Sequence, residues 1–315
     1  MTNTFRLPEP WEQRAQASVP LRDVTTFRIG GPAARFITLS DPKELSRLVA
    51  DLHVERIPWR LLGHGSNVLI SDEGLNCLVI VFRDEDVRAR IEGDLLVVSG
   101  SSGLHGLVVK SLKLGFTGLE FAAGIPGTVG GAVCGNAGAY GEQIGDRLAW
   151  VDVLSQDGGL RRIKHDELGF AYRRSRLQQS RDIVLCAALQ LPRGNLESAC
   201  NRVNEILAER KVKHPDWRET PCAGSFFRNF EPSSAADRRQ SAGTLLDQVG
   251  AKLLHVGGAA VYPKHANILI NKNAATCSEV LTLARILRQR LIDRGGPALF
   301  REVQVWPESL AEGLP

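Results

Sequence analysis

Apolar positions recur along this chain in two spacings, and the alternation between them sets out its elements. Leu45, Leu48, Val49 and Leu52 fall three and four residues apart, the spacing of one helical face. Asp41-Pro42-Lys43-Glu44 opens that helix, with Asp41 as N-cap and Pro42 in the first turn. Short apolar runs at 59–62, 68–70, 78–82 and 95–98 read as strands separated by glycine turns. Residues 104–114 return to helical spacing through Leu104, Leu107, Val108 and Leu112, with Gly115 as the stop. Runs at 149–154 and 160–163 flank Gln156-Asp157-Gly158-Gly159, a hairpin signal. A mostly apolar strand at 182–191 and a helix at 195–213 follow. Pro215 and Pro221 then punctuate the chain and suggest a domain boundary. Beyond them the pattern gives a short helix near 244–249, a strand at 267–271, a helix at 278–294 and a last strand at 300–305. The first twenty residues read as a polar arm. This order lacks regular strand–helix alternation, so the expected class is α+β with two or three lobes.

Residues 124–141 break both spacings. Seven of these eighteen residues are glycine, alternating with small side chains. Glycine costs backbone entropy, so such a run needs a reason. A flexible linker fits poorly, because Ile125, Val129 and Val133 are apolar and Pro126 is stiff. The better reading is a loop whose backbone closely approaches a ligand, its N–H groups aimed at an anion. Gly63-His64-Gly65-Ser66-Asn67-Val68 is a second glycine loop after an apolar strand. It lacks the third glycine of a dinucleotide fingerprint, and no phosphate-loop ATPase motif occurs. Two such loops could grip the two phosphates of a dinucleotide through backbone N–H groups and the Ser66 hydroxyl. Ser66-Asn67 alone could equally be a turn.

Composition narrows the classes. The chain has 315 residues, 43 % hydrophobic and 23 % charged, with a net charge of +4. This is ordinary for a soluble globular protein and does not call for nucleic acid. The six cysteines, Cys77, Cys134, Cys186, Cys200, Cys222 and Cys277, include no CxxC pair. That argues against a zinc site and a disulfide scaffold. No signal-peptide pattern opens the chain and no run reaches membrane-span length, so a cytoplasmic protein without a membrane partner is expected.

Single residues in the second half carry weak signals. Ser225, in Gly224-Ser225-Phe226-Phe227-Arg228-Asn229, is outside any serine-hydrolase elbow, yet its hydroxyl could protonate a carbanion. Tyr172-Arg173-Arg174 is a cationic cluster or a solvated face, and Glu302 could sit on the solvent side of a strand. His265 and Asn267 could be a hydrogen-bonded core pair.

In order, these motifs resemble the UDP-N-acetylenolpyruvoylglucosamine reductase family. The set comprises Thr25-Thr26-Phe27-Arg28-Ile29-Gly30-Gly31, the two glycine loops, Tyr172-Arg173-Arg174-Ser175, the Ser225 motif, Leu246-Asp247-Gln248-Val249-Gly250, Lys264-His265-Ala266-Asn267 and Glu302-Val303. The match runs from about Leu21 to Trp306. The resemblance implies a three-lobed α+β protein with the vanillyl-alcohol-oxidase/PCMH-type FAD-binding fold and a C-terminal substrate lobe. The lobes would be residues 1–83 completed by 303–315, residues 84–213, and residues 214–302. The only tyrosines are Tyr140, Tyr172 and Tyr262, which leaves no spare tyrosine loop and implies the shorter form of the family.

The same resemblance implies non-covalent FAD, NADPH as co-substrate and no metal. The reaction would reduce the enolpyruvyl ether of UDP-N-acetylglucosamine to UDP-N-acetylmuramate, for peptidoglycan. FAD would be held by Gly63, His64, Gly65, Ser66, Asn67, Gly124, Ile125, Pro126, Gly127, Thr128, Gly130, Gly131, Asn136, Gly138, Ala139 and Tyr140. Arg173 and Glu302 would stabilise the enolate, with Glu302 either protonated or bonded to a cation, and Ser225 would protonate it. Tyr172, Arg228, Asn229 and His265 would bind substrate. The partners would be small molecules only, the protein a monomer. The chain departs from the family at Phe230, Gln304, Pro263 and Cys134-Gly135, and Arg174 doubles a usually single arginine. Competing readings are an oxidase that tethers FAD to His64, and a non-enzymatic sensor.

Overall fold

A computed structural model describes residues 5–84, 86–231 and 239–315. The chain forms two compact units. The first is built from Met1–Ala17, Arg35–His64 and Asn76–Arg210, the second from Ser18–Ala34, Gly65–Leu75 and Lys211–Pro315. Helix and strand are mixed in both, as the α+β reading requires.

In the first unit the helix Pro42–Val54 begins where the sequence places it. The Asp41 carboxylate accepts from Lys43 N at 2.9 Å, satisfying an N-terminal donor that lacks a helical partner. Leu45, Leu48, Val49 and Leu52 are buried against Ile37, Leu39, Leu78, Ile80 and Phe82. Each such leucine contributes about 1.5–3 kcal/mol of transfer free energy. Trp59–Leu62 pairs in parallel with the Leu75–Phe82 strand. A five-stranded antiparallel sheet has the order Leu160–Lys164, Leu148–Leu154, Ile183–Gln190, Leu95–Ser99, Ala89–Glu92. Its core side meets the helices Leu104–Lys113, Val129–Cys134 and Leu196–Lys213 through residues such as Leu107, Val133 and Ile206. Gly115 ends the first of these at φ +82°, with Phe116 N bonded back to Ser111 O.

In the second unit a four-stranded antiparallel sheet runs Cys222–Ser225, His265–Asn271, Ala259–Tyr262, His255–Val256. The helices Ala242–Gln248 and Cys277–Asp293 pack on it through Leu246, Val280, Leu283, Ala284 and Leu287. Gln304–Trp306 pairs in parallel with Val68–Ile70. The Thr25–Gly31 motif is explained here. Thr26 Oγ1 donates to Cys222 O at 2.7 Å, and a Cβ on Gly31 would stand 2.1 Å from Asp72 O.

Three expectations change. The first twenty residues are not a loose arm: Met1–Thr4 lie outside the described residues, but Leu7 and Trp11 are buried and Trp11 Nε1 donates to Asp51. Two apolar anchors among polar neighbours were too sparse to show a period. The strand expected at 300–305 is only Gln304–Trp306, because Phe300 to Glu302 instead bond the Phe226–Arg228 backbone. The glycine-rich stretch contains the helix Val129–Cys134, buried through Val129, Ala132 and Val133.

Candidate functional site

The glycine segment is a folded seat. Thr128 caps its helix by accepting from Gly131 N at 3.2 Å. Val129 N donates to Ser102 O and Gly130 N to Gly100 O, so these amides are spent inside the protein instead of being aimed at an anion. Gly130 is needed for packing, since a Cβ there would stand 3.1 Å from Gly100 O and 3.4 Å from Val184 O. A different face is left bare. Gly131 and Gly135, four residues apart, lie on one side of the helix. A Cβ at either would meet only its own segment, at 3.4 and 3.5 Å. A strip of backbone with no side chain above it suits the close approach of a flat group, so these residues fit the flavin that the resemblance calls for.

The two glycine loops also meet. A Cβ on Gly63 would stand 2.7 Å from Thr128 Oγ1, and one on Gly103 would touch His64 Cε1 at 3.5 Å. Burial, then the charge of Arg83, pushes the His64 imidazole below the ordinary histidine range. Leu104 N donates to Gly127 O, tying the Gly124–Thr128 turn to the Leu104–Lys113 helix. Gly124 N donates to Nδ1 of His105, an imidazole likewise pushed down by burial. Leu207 and Arg210 cover Gly124, with Arg210 Nε 3.1 Å from where a Cβ would be. Ile125 is half-buried and Pro126 exposed.

Asn136 is fully buried, at φ 44°. It accepts from Gly145 N at 3.0 Å and donates to Gln143 Oε1 and Ala171 O at 2.9 Å, so its side chain staples three chain segments. Gly138 is buried and Ala139 half-buried next to it, and Tyr140 is exposed, its ring 5.1 Å from the Arg202 guanidinium. Arg173 is held to the same segment, donating to Gly138 O at 2.7 Å from a left-handed backbone position at φ 55°. Ser175 Oγ donates to Cys134 O at 2.6 Å. Tyr172 is half-buried beside the Arg173 guanidinium, while Arg174 points to solvent. Of the two arginines, Arg173 is the one bonded to the glycine segment.

The second unit carries the other group. Gly65 sits at φ +61°, where a Cβ would meet Val24 O at 2.5 Å, and Thr26 N donates to its carbonyl. Asn67 is exposed; its Nδ2 donates to Glu302 O at 3.3 Å, while its own carbonyl accepts from Gln304 N. Ser66 is half-buried between them. Ser225 is half-buried at the end of its strand, opposite Ile268. The next carbonyl, that of Phe226, accepts from Glu302 N at 2.8 Å. Arg228 N donates to Phe300 O. Asn229 Oδ1 accepts from Ala242 N at 3.1 Å, bracing the start of the Ala242–Gln248 helix. The His265 ring lies 5.4 Å from that of His214, and burial, reinforced by Lys252 and Lys213, holds it below the ordinary range. Sequence reasoning missed Ser102, His105 and Arg210, since single polar residues within helical or glycine contexts carry no local signal. It read Asn267 as a hydrogen-bonded core partner of His265, and Asn267 N does donate to His265 Nδ1 at 3.3 Å.

Two family models match the chain. Residues 33–164 match the model of the FAD binding domain, and residues 215–306 match that of the UDP-N-acetylenolpyruvoylglucosamine reductase C-terminal domain. The UDP-N-acetylenolpyruvoylglucosamine reductase of Heliobacterium modesticaldum is 38 % identical over 92 % of this chain and 90 % of its own length. That of Chlamydia muridarum is 38 % identical over 98 % of this chain and 97 % of its own. The crystal structure of the Thermus caldophilus reductase superposes with a TM-score of 0.78 at 35 % identity, covering 93 % of this chain and 99 % of that one. Among the described residues no helix is long and apolar enough to cross a membrane.

Proposed function

The chain belongs to the UDP-N-acetylenolpyruvoylglucosamine reductase family of FAD-containing oxidoreductases, and we propose that it uses NADPH to reduce the enolpyruvyl ether of UDP-N-acetylglucosamine to UDP-N-acetylmuramate. The observation that carries this reading is the tie between Ser225 and Glu302. The residue following Ser225 accepts the Glu302 amide through its carbonyl, so a proton donor and a carboxyl group are fixed on neighbouring backbones.

Bound FAD would supply the hydride chemistry, linking oxidation of NADPH to reduction of the vinyl carbon β to the substrate carboxylate. The bare Gly131 and Gly135 strip, with Gly63, His64, Gly127 and Thr128 beside it, would hold the cofactor. Gly65, Ser66, Asn67, Gly124, Ile125, Pro126, Gly130, Asn136, Gly138, Ala139 and Tyr140 would complete or brace that seat. Adding hydride places negative charge on the α-carbon and carboxylate, and fixed donors lower that cost most when they are already in place. Arg173 is such a donor, locked by its bond to Gly138 O. Glu302 would be the second such group, protonated or bonded to a cation. Ser225 then gives its hydroxyl proton to the α-carbon, a transfer made feasible by the basicity of the adjacent enolate. Arg228 would meet the anionic part of the substrate, and Tyr172, Asn229 and His265 would shape its seat. The domain reading that accompanies this keeps three lobes, at 1–83 with 303–315, 84–213 and 214–302. The protein would act as a cytoplasmic monomer with small-molecule partners only.

The test follows the product. In deuterated water, turnover should place one deuterium on the α-carbon of the lactyl ether, with NADPH consumed one for one. NADPH oxidation at the same rate without the ether would overturn the reading.

A further inference from the structure

Cys222–Ser225 pairs with His265–Asn271 up to Ser225 opposite Ile268. Beyond it the chain turns away, and the backbone of Phe226 and Phe227 needs new partners. One residue supplies most of them. Asn267 O accepts from Phe226 N at 2.8 Å. Its side chain pairs with the Phe227 peptide groups as a second strand would, Oδ1 accepting from Phe227 N at 2.9 Å and Nδ2 donating to Phe227 O at 2.8 Å. Asn267 is 2 % exposed, and its own amide donates to His265 Nδ1. On the opposite edge the same two phenylalanines carry the 300–302 segment. Phe226 O accepts from Glu302 N, and Phe227 forms a β-bridge with Arg301. Both rings are buried and meet edge to face, their centroids 5.1 Å apart.

We propose that Asn267 is a positioning residue for proton delivery: by clamping the Phe226-Phe227 backbone it fixes Ser225 on one side and Glu302 on the other. This rests on the roles given to Ser225 and Glu302 above. The amide is suited to the task because it offers one donor and one acceptor in a plane, matching the C=O and N–H of a single peptide residue. Removing it leaves two buried backbone groups unpaired, and the segment moves to find partners. Reactions that depend on placement lose about a hundredfold for a shift of about 1 Å.

The experiment measures the two half-reactions separately, without oxygen, in the full-length holoenzyme. For Asn267→Ala, reduction of bound flavin by NADPH should stay within about twofold of the parent, while reoxidation by the enolpyruvyl ether slows by about tenfold or more. The same change on a Ser225→Ala background should slow reoxidation by a smaller factor than in the parent, because one of the two groups being positioned is gone. Asn267→Asp keeps the acceptor for Phe227 N and loses the donor to Phe227 O; it should slow reoxidation too, and it decides the matter if the alanine variant does not fold. Leu283→Ala, a core change in the same unit, should lower the melting temperature without slowing reoxidation. Equal reoxidation rates in parent and Asn267 variants would overturn the proposal, as would parallel loss of both half-reactions or full additivity with Ser225→Ala. A parent whose reduced flavin ignores the ether would instead overturn the underlying reading of the reaction.

Discussion

Replacing Gly131 by alanine should move two quantities in opposite directions. In the free protein the change is favourable. Gly131 lies inside a helix, its backbone needs no positive φ, and an added Cβ would find its nearest neighbour, Thr128 Oγ1, at 3.4 Å. Alanine there is worth roughly 0.5–1 kcal/mol over glycine. With cofactor bound, the methyl group would stand on the strip proposed as the flavin seat. Overfilling a close-packed contact costs about 1–3 kcal/mol, which corresponds to roughly 5- to 150-fold weaker binding. The assay is thermal melting of the FAD-free protein, paired with titration of FAD by quenching of its fluorescence. A higher melting temperature with weaker FAD binding supports the seat. Unchanged FAD affinity in a stabilised apoprotein would refute it, and a destabilised apoprotein would show that the glycine serves the fold instead.

Ser225→Ala should bind FAD and accept hydride from NADPH normally, yet lose about 10²–10⁴-fold in substrate-driven flavin reoxidation, measured by stopped flow; normal turnover would refute its role as acid. Arg173→Lys should lower kcat/KM by at least about tenfold, because a point charge cannot reproduce the planar donor fork, whereas exposed Arg174→Lys should stay within about twofold. Asn136→Ala should destabilise the first unit by about 3 kcal/mol in denaturant melts, since a fully buried side chain loses three hydrogen bonds and the buried Gly145 N–H is left unpaired. His64, His105 and His265 are all held below the ordinary range, chiefly by burial. The folded state therefore resists protonation while the unfolded chain takes protons near pH 6.5. Their stability contribution is full above that pH and fades as the pH falls below it, through the lowered folded values. Melting temperature should fall from pH 7.5 to pH 5.5, and His105→Gln should flatten that slope; an unchanged slope would contradict it.

Much of the fold is legible from spacing alone. The Pro42–Val54 and Cys277–Asp293 helices follow from their apolar stripes and caps, Asp41 and Thr276. The helix in the glycine segment was hidden because four of the residues from Gly127 to Gly135 are glycines, and its stability comes from packing of Val129 and Val133 instead of propensity. Pro32–Leu39 was missed because its inward and outward positions do not alternate. Among site residues, the glycines and Ser225 stood out by type and motif. What single residues could not reveal was division of labour. Gly130 and Asn136 look like cofactor ligands in the sequence, and both are occupied in holding backbone. Arg173 and Arg174 are indistinguishable by type, and only the bond to Gly138 O separates them.

The most direct test of the central claim is an anaerobic absorbance experiment on the purified protein. Bound flavin is reduced with one equivalent of NADPH, and the enolpyruvyl ether of UDP-N-acetylglucosamine is then added. Prompt return of the oxidised flavin band, with lactyl ether formed in equal amount, is the predicted result. A flavin that stays reduced until air is admitted would contradict the account.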